Sequence, residues 1–260
     1  MTDPVTWSLD GGVARLTLDR PERRNVLDAD MLDCLSDQLA RAIADDVRVV
    51  VLTATGTVFC AGADLRGSAA GDAGSFAGTG AAALVRVLTA VMDHPKPVVA
   101  RVQGHVAGGG NGLVAACDIA VASDVARFGF TEVRVGVAPA VIAIPLLRRL
   151  SPADASALLL TGRRIDAATA RAVGLVQQVV PPAELDDTVQ SYVADLLLGG
   201  PEAVAATKQV LQQVPHLSRE EAFEWTAQLS AARFASAEGA EGMRAFGEKR
   251  LPRWAPSPVE

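Results

Sequence analysis

The stretch Gly104-His105-Val106-Ala107-Gly108-Gly109-Gly110-Asn111-Gly112-Leu113 constrains this chain more than any other. It follows the Val-rich run Val98 to Val102 and leads into the small apolar segment Leu113 to Cys117. That order reads as strand, glycine loop, helix start. Five glycines in the nine positions 104–112 disfavour both regular structures, since each costs roughly 0.5–1 kcal/mol against alanine. Two readings accommodate them. In one, the backbone comes close to a ligand, because N–H groups at a helix N-terminus suit an oxygen that carries or develops negative charge. In the other, the glycines only permit a tight strand-to-helix turn.

A second stretch repeats the pattern. Val47 to Thr53 is short and nearly all apolar, as expected of a buried parallel strand. After it come Gly56, then Val58, then the small-residue loop Ala61-Gly62-Ala63, where the first stretch has Gly104, Val106 and Gly108 to Gly110. One supersecondary unit used twice is the expectation. If the two strands are parallel neighbours, both loops open at the same sheet edge, where ligands bind in open α/β sheets. Each loop could then present one backbone N–H to one oxygen.

The remaining segments alternate in the same sense. Trp7 to Leu9 and Val13 to Leu18 read as a hairpin about Asp10-Gly11-Gly12. Asp28 caps a helix in which Met31, Leu35, Leu39 and Ile43 recur every fourth residue. Arg66 to Gly80 is rich in Gly, Ala and Ser and is expected to be a mobile segment bordering the site. Ala81 to Met92 is helical, and Pro95 and Pro97 lead from it into the Val98 strand. Asp118 to Ala122 reads as a strand, Phe128 to Val133 as a short extended piece, and Val141 to Leu150 as a helix. Ser151-Pro152 and Asp166 each open a helix, and Gly174 closes the second. Val176 to Val180 is the last strand. Beyond Pro181-Pro182 only helices follow, one starting at Pro201, one with the capping box Ser218 and Glu221, and one near Glu241 to Arg250.

Composition narrows the function classes. The formal net charge is -6 and no basic cluster suggests nucleic acid. No apolar run spans a bilayer, and the N-terminus lacks a secretory signature. Cys34, Cys60 and Cys117 form no CxxC pair, which suits reduced thiols in a cytoplasmic protein. His94, His105 and His216 are not spaced as metal ligands, so no metal is expected. A GxSxG nucleophile elbow and a GxxxxGK phosphate loop are both absent. Gly78-Thr79-Gly80 with Ala83 is a weak dinucleotide pattern, because no strand precedes it.

Ala61-Gly62-Ala63-Asp64-Leu65, the Gly108-Gly109-Gly110 run leading to Cys117-Asp118-Ile119, and Phe128-Gly129-Phe130-Thr131-Glu132 together resemble the crotonase (enoyl-CoA hydratase/isomerase) superfamily. Arg20-Pro21-Glu22-Arg23-Arg24-Asn25 and the tail from Glu238-Gly239 to Glu248-Lys249-Arg250 match it too, so the resemblance covers almost the whole chain in order. It implies an α/β fold: a spiral of ββα repeats with the acyl-CoA site in residues 1–195, and a C-terminal helical oligomerisation region in 196–260. It implies a homotrimer or dimer of trimers, an acyl-CoA thioester substrate, and no separate cofactor, CoA being part of the substrate. It implies that the N–H groups of Ala63 and Gly109 form an oxyanion hole for an enolate.

The same resemblance distributes further roles. Arg23 and Arg24 would meet the CoA phosphates, Ala61, Asp64 and Leu65 would surround the adenine, and Lys249 would reach a neighbouring subunit's CoA. Gly108, Gly112 and His105 would border the acyl pocket, and Phe76 is a further candidate there. Solvated loop charges, a helix cap at Asp64 and a satisfied turn histidine are the bland alternatives. In many hydratases of the superfamily two glutamates flank the substrate double bond. The first falls here on Gly112 and is missing; the second is Glu132. Its setting between Phe130 and Val133 would raise its pKa by desolvation, as suits a proton shuttle, unless Arg134 pairs with it. A single glutamate fits an enoyl-CoA isomerase. It also fits a branch of hydratases resembling methylglutaconyl-CoA hydratases, which share runs close to Thr131 to Ile142. Hydratase is the favoured reading. Isomerase and a non-catalytic acyl-CoA-binding protein are the alternatives.

Overall fold

A computed structural model describes residues 3–44, 46–64 and 80–256. The chain opens with the antiparallel hairpin β1 (Val5–Asp10) and β2 (Val13–Leu18). Gly11 and Gly12 turn it at φ of +53° and +80°, values that favour glycine. Helix α1 (Ala29–Arg41) follows, with the Asp28 side chain accepting from the Met31 N–H at 3.0 Å. Met31, Leu35 and Leu39 are buried as their spacing predicts, but Ile43 lies beyond the helix end and is exposed.

Three parallel strands continue the sheet beyond β2: β3 (Val49–Ala54), β5 (Val98–Val102) and β7 (Ile119–Ser123). β10 (Gln178–Val180) closes it, giving the order β1-β2-β3-β5-β7-β10. Both faces of the central strands are covered. Val50 and Leu52 of β3 face the core shared with α1 and α2 (Ala81–Met92), while Val49 and Val51 face Val189 and Val193 of α7 (Leu185–Leu198). That two-sided burial is why β3 reads as an unbroken apolar run.

A second sheet carries the loops. β4 (Val58–Cys60), β6 (His105–Ala107) and β8 (Arg127–Gly129) are parallel neighbours, and β9 (Arg164–Asp166) pairs antiparallel with β8. The duplicated unit is therefore triplicated: β3–β4, β5–β6 and β7–β8 have the same arrangement. The third copy lacks the glycine signature of the other two. A Cβ at Gly104 would stand 2.0 Å from the Thr57 carbonyl oxygen, so the first two copies cross in backbone contact. β9 has no counterpart in the sequence reading, being only three residues long and running directly into the Asp166 cap.

Helix α3 (Gly109–Ala116) starts at the glycine run, and α4 (Ala140–Leu147) packs across it. α5 (Pro152–Thr161) and α6 (Ala167–Ala172) begin at the Ser151 and Asp166 caps. After β10 the described chain is helical: α7, then α8 (Pro201–Gln213), α9 (Arg219–Phe234) and α10 (Ala237–Gly247). Ser218 and Glu221 form the expected capping box of α9. The last helix starts earlier than expected because Ser236 caps it. Lys208 of α8 fastens this region to the core, donating to Asp118 Oδ2 at 2.7 Å and to the Val91 carbonyl at 3.2 Å. Among the described residues no helix is long and apolar enough to cross a membrane.

Candidate active site

Three parallel strands ending at one edge deliver three loops to one place. Gly62 follows β4 at φ +86°, and a Cβ there would lie 2.9 Å from the Ala107 carbonyl oxygen and 3.2 Å from the Gly109 nitrogen. The Ala61–Ala63 loop thus rests directly on the Ala107–Gly109 loop. Its other side is clamped: the Gly62 carbonyl accepts the Leu27 N–H at 2.8 Å, and the Ala61 N–H donates to the Arg24 carbonyl at 3.0 Å. Buried Asn25 braces the approach, donating through Nδ2 to the carbonyls of Thr55 and Val58 at 3.0 and 2.8 Å.

The glycine loop has its own reason at each position. Gly108 sits at φ +50°, and a Cβ on it would stand 3.6 Å from Glu132 Oε1. On Gly109 a Cβ would collide with Leu27 Cδ1 at 2.9 Å and lie 3.9 Å from the Ala63 nitrogen. On Gly110 it would collide with Cys60. The N–H groups of Ala63 and Gly109 are therefore neighbours, and among the described residues neither donates to a protein acceptor. Gly109 is also the first residue of α3, whose dipole favours negative charge there.

Glu132 starts a 3-10 turn (Glu132–Val135) rather than continuing the extended β8, because Gly136 at φ +78° closes the turn behind it. Its Oε2 is buried with no hydrogen-bond partner among the described residues, and desolvation holds its carboxyl above the ordinary carboxylate range. Arg134 does not pair with it; its Nε donates to the Thr161 carbonyl at 3.3 Å. Gly112 lies one turn along α3, buried, where a Cβ would meet Ile142 Cγ2 at 2.7 Å and Leu88 Cδ1 at 3.5 Å.

A basic cavity of about 330 Å³ lies on the outer face of the second sheet. Arg24, Arg127, Arg164 and His105 line it together with Ala61, and no acidic side chain is among its described lining residues. Phe59, Val106, Phe128 and Ile165 point to the core from the same strands, so the alternation of the pleat places His105, Arg127 and Arg164 outside. Arg24 and Arg164 form no ion pair among the described residues, whereas Arg23 is bound to Asp28 and, at 2.8 Å, to Asp64.

The profile of the enoyl-CoA hydratase/isomerase family matches residues 8–257. The chain belongs to the enoyl-CoA hydratase/isomerase family. It is 35% identical to an (E)-benzylidenesuccinyl-CoA hydratase of Thauera aromatica, over 96% of this chain and 98% of that protein. It is 34% identical to a carnitinyl-CoA dehydratase of Proteus mirabilis, over 98% and 99% of the two chains. The crystal structure of an enoyl-CoA hydratase from Mycobacterium smegmatis superposes with a TM-score of 0.92 at 34% identity, covering 96% of this chain and 98% of that one. The expected crotonase α/β fold is thereby established, with two mixed sheets and a helical C-terminal region.

Within this family member the structure brings Ala63, Gly108, Gly109 and Glu132 together, with Gly112 buried one turn further along α3. Arg24, Ala61 and His105 meet at the basic cavity instead. His105 opens β6 and is exposed there, away from the buried position Gly112. Lys249 is exposed after α10 at φ +55° and is not among the residues lining that cavity. Leu65 and Phe76 lie outside the described residues, as does most of the segment from Arg66 to Gly80. Arg127 and Arg164 carry no sequence signal of their own as site residues; only the pairing of their strands reveals them.

Proposed function

We propose that this family member is an enoyl-CoA hydratase with one catalytic carboxyl group. The observation that carries the reading is the placement of Glu132 beside Gly108, its Oε2 buried and without a hydrogen-bond partner among the described residues, next to the neighbouring N–H groups of Ala63 and Gly109. Two N–H donors that have no acceptor among the described residues suit a thioester oxygen, and they hold it more tightly as it becomes an enolate. Loss of one such donor typically costs about 2.7–4 kcal/mol of barrier.

The steps follow from that placement. Ionised Glu132 takes a proton from a water, and the water oxygen bonds to the β-carbon. The electron pair of the double bond moves toward the thioester, leaving an enolate on the two N–H groups. Glu132, now protonated, returns the proton to the α-carbon. The pKa elevation fits this alternation, since general acid–base work favours a group poised near the working pH.

CoA would approach along the basic cavity, with Ala61 near the adenine and Arg24, Arg127 and Arg164 toward the phosphates. Arg23 would act by holding Asp64 in the adenine loop. A trimer, or a dimer of trimers, accounts for the C-terminal region: α9 buries no residue within the chain, and Phe223, Phe234 and Phe246 are exposed. Lys249 would then reach a neighbouring subunit's CoA. The relatives act on acyl-CoA esters by name, and a methylglutaconyl-type hydratase is the branch we favour.

The test follows the loss of conjugated-enoyl absorbance with crotonyl-CoA and, separately, with 3-methylglutaconyl-CoA. Loss with either that disappears in Glu132→Gln supports the hydratase. Gain of that absorbance with a 3-enoyl-CoA alone would make the protein an isomerase, a reading favoured by the lack of an acid at Gly112. Binding of the esters without turnover would make it a non-catalytic acyl-CoA-binding protein.

A further inference from the structure

The first turn of α3 forms one wall of the proposed site, and its two ends differ in chemistry. At Gly108 it meets the Glu132 carboxyl group; at Gly112 it meets hydrocarbon. The hydrocarbon is specific. Ile142 is 3% exposed, and its Cγ2 and Cβ would lie 2.7 and 3.1 Å from a Cβ on residue 112. Leu88 Cδ1, from α2, closes the same space at 3.5 Å. Cγ2 is attached to the branched Cβ, so it cannot swing away as the end of a long side chain could, and in a helix that branch has one strongly preferred rotamer.

We propose that Ile142 determines the one-acid character of this site. Its branched side chain fills the volume that any side chain at residue 112 would need, and it presents a dry wall there. Among the described residues, protons therefore reach the bound ester from the Glu132 side. The acyl carbons that pass this wall must be hydrocarbon, because a polar substituent turned toward Ile142 and Leu88 would lose its water without a partner. The substrate class is an enoyl ester whose polar groups, if any, lie away from the face that meets α4. This inference rests on the assignment of Glu132 as the proton carrier, and it gives the absence of an acid at residue 112 a physical cause in a residue 30 positions away.

The experiment is a double-mutant cycle with two readouts, thermal midpoint and the pH dependence of turnover. Gly112→Glu by itself is expected to lower the midpoint and to cut kcat/KM at least about tenfold. Ile142→Gly is expected to keep a profile governed by one ionisation. Combined, the two substitutions are expected to recover part of the lost midpoint and to give a bell-shaped profile with two ionisations. Gly112→Ala measured with and without Ile142→Ala repeats the packing half of the cycle should the glutamate variant not fold. Strict additivity of the midpoints, or an unaltered midpoint for Gly112→Glu alone, overturns the proposal. A double variant that recovers stability but keeps one ionisation overturns its chemical half. If the unmodified protein turns over none of the esters, the hydratase reading fails while the midpoints still judge whether Ile142 fills the site.

Discussion

Asn111 donates through Nδ2 to the Gly129 carbonyl at 2.8 Å, and the same carbonyl accepts the Gly108 N–H at 3.1 Å. One carbonyl thus ties the loop that presents Gly109 to the strand that delivers Glu132. Asn111 is fully buried, and its Oδ1 has no partner among the described residues. Asn111→Leu therefore removes one hydrogen bond and one unsatisfied acceptor together, and these offset each other. Stability should change by less than about 1 kcal/mol, while kcat should fall roughly tenfold through loosened geometry. Denaturant unfolding and steady-state kinetics on one preparation check this; equal losses in both would make Asn111 merely structural.

Glu132→Gln should lower kcat by roughly 10²–10⁴-fold and leave CoA-ester affinity largely intact. Its effect on stability has the opposite sign. The folded carboxyl has a raised pKa, so the folded state binds its proton more tightly than the unfolded chain does. Stability is then full below the ordinary carboxylate pKa and falls as pH rises through the interval up to the raised value. The glutamine variant lacks that fall, so its thermal midpoint at neutral pH should exceed that of the parent. Melting curves across the acidic and neutral range decide; a midpoint difference independent of pH would contradict the assignment.

Arg24→Ala and Arg164→Ala should each raise KM for the CoA ester, roughly tenfold for the loss of a charge-assisted hydrogen bond, with little change in kcat. The increases should shrink with added salt. Arg164 stands on β9, far from any sequence motif, so its response is the sharper check on the cavity as the phosphate seat. A kcat effect at constant KM would place the phosphates elsewhere.

Phe234→Asp, in the exposed face of α9, should shift the assembly toward monomer if this face is the contact between subunits. Light scattering after gel filtration reads the mass directly. An unchanged oligomer would move the interface off α9, and a monomeric parent protein would remove it.

Cys60 and Cys117 are buried, and desolvation pushes both thiols up to about 12. A thiol reagent at pH 8 should therefore label at most Cys34 in the folded protein and all three cysteines after unfolding. Rapid labelling of more than one thiol under native conditions would contradict this packing.

Much of the fold was legible in local chemistry. Asp28, Ser151, Asp166 and Ser218 all cap the helices their positions announced, because a cap is a contact between residues three apart. The apolar run at β3 announced burial on both faces, and the shared Gly-x-Val pattern at Gly56 and Gly104 announced two equivalent units. The residues that motif resemblance singled out, Ala63, Gly109 and Glu132, lie near one another in the fold, and their catalytic roles are the reading proposed above.

What the sequence by itself determined is the set of elements and the backbone freedom of the loops, since those depend on neighbours along the chain. Tertiary structure alone decided how the loops share space. The third unit, β7–β8, became visible only through strand pairing, because its turn needs no glycine. Arg23 and Arg24 are adjacent and chemically alike, yet one is held by Asp28 and Asp64 and the other opens onto a cavity with Arg164. The glycine at 112 has a meaning only beside Ile142, because excluded volume is a property of two surfaces in contact and neither residue specifies it alone.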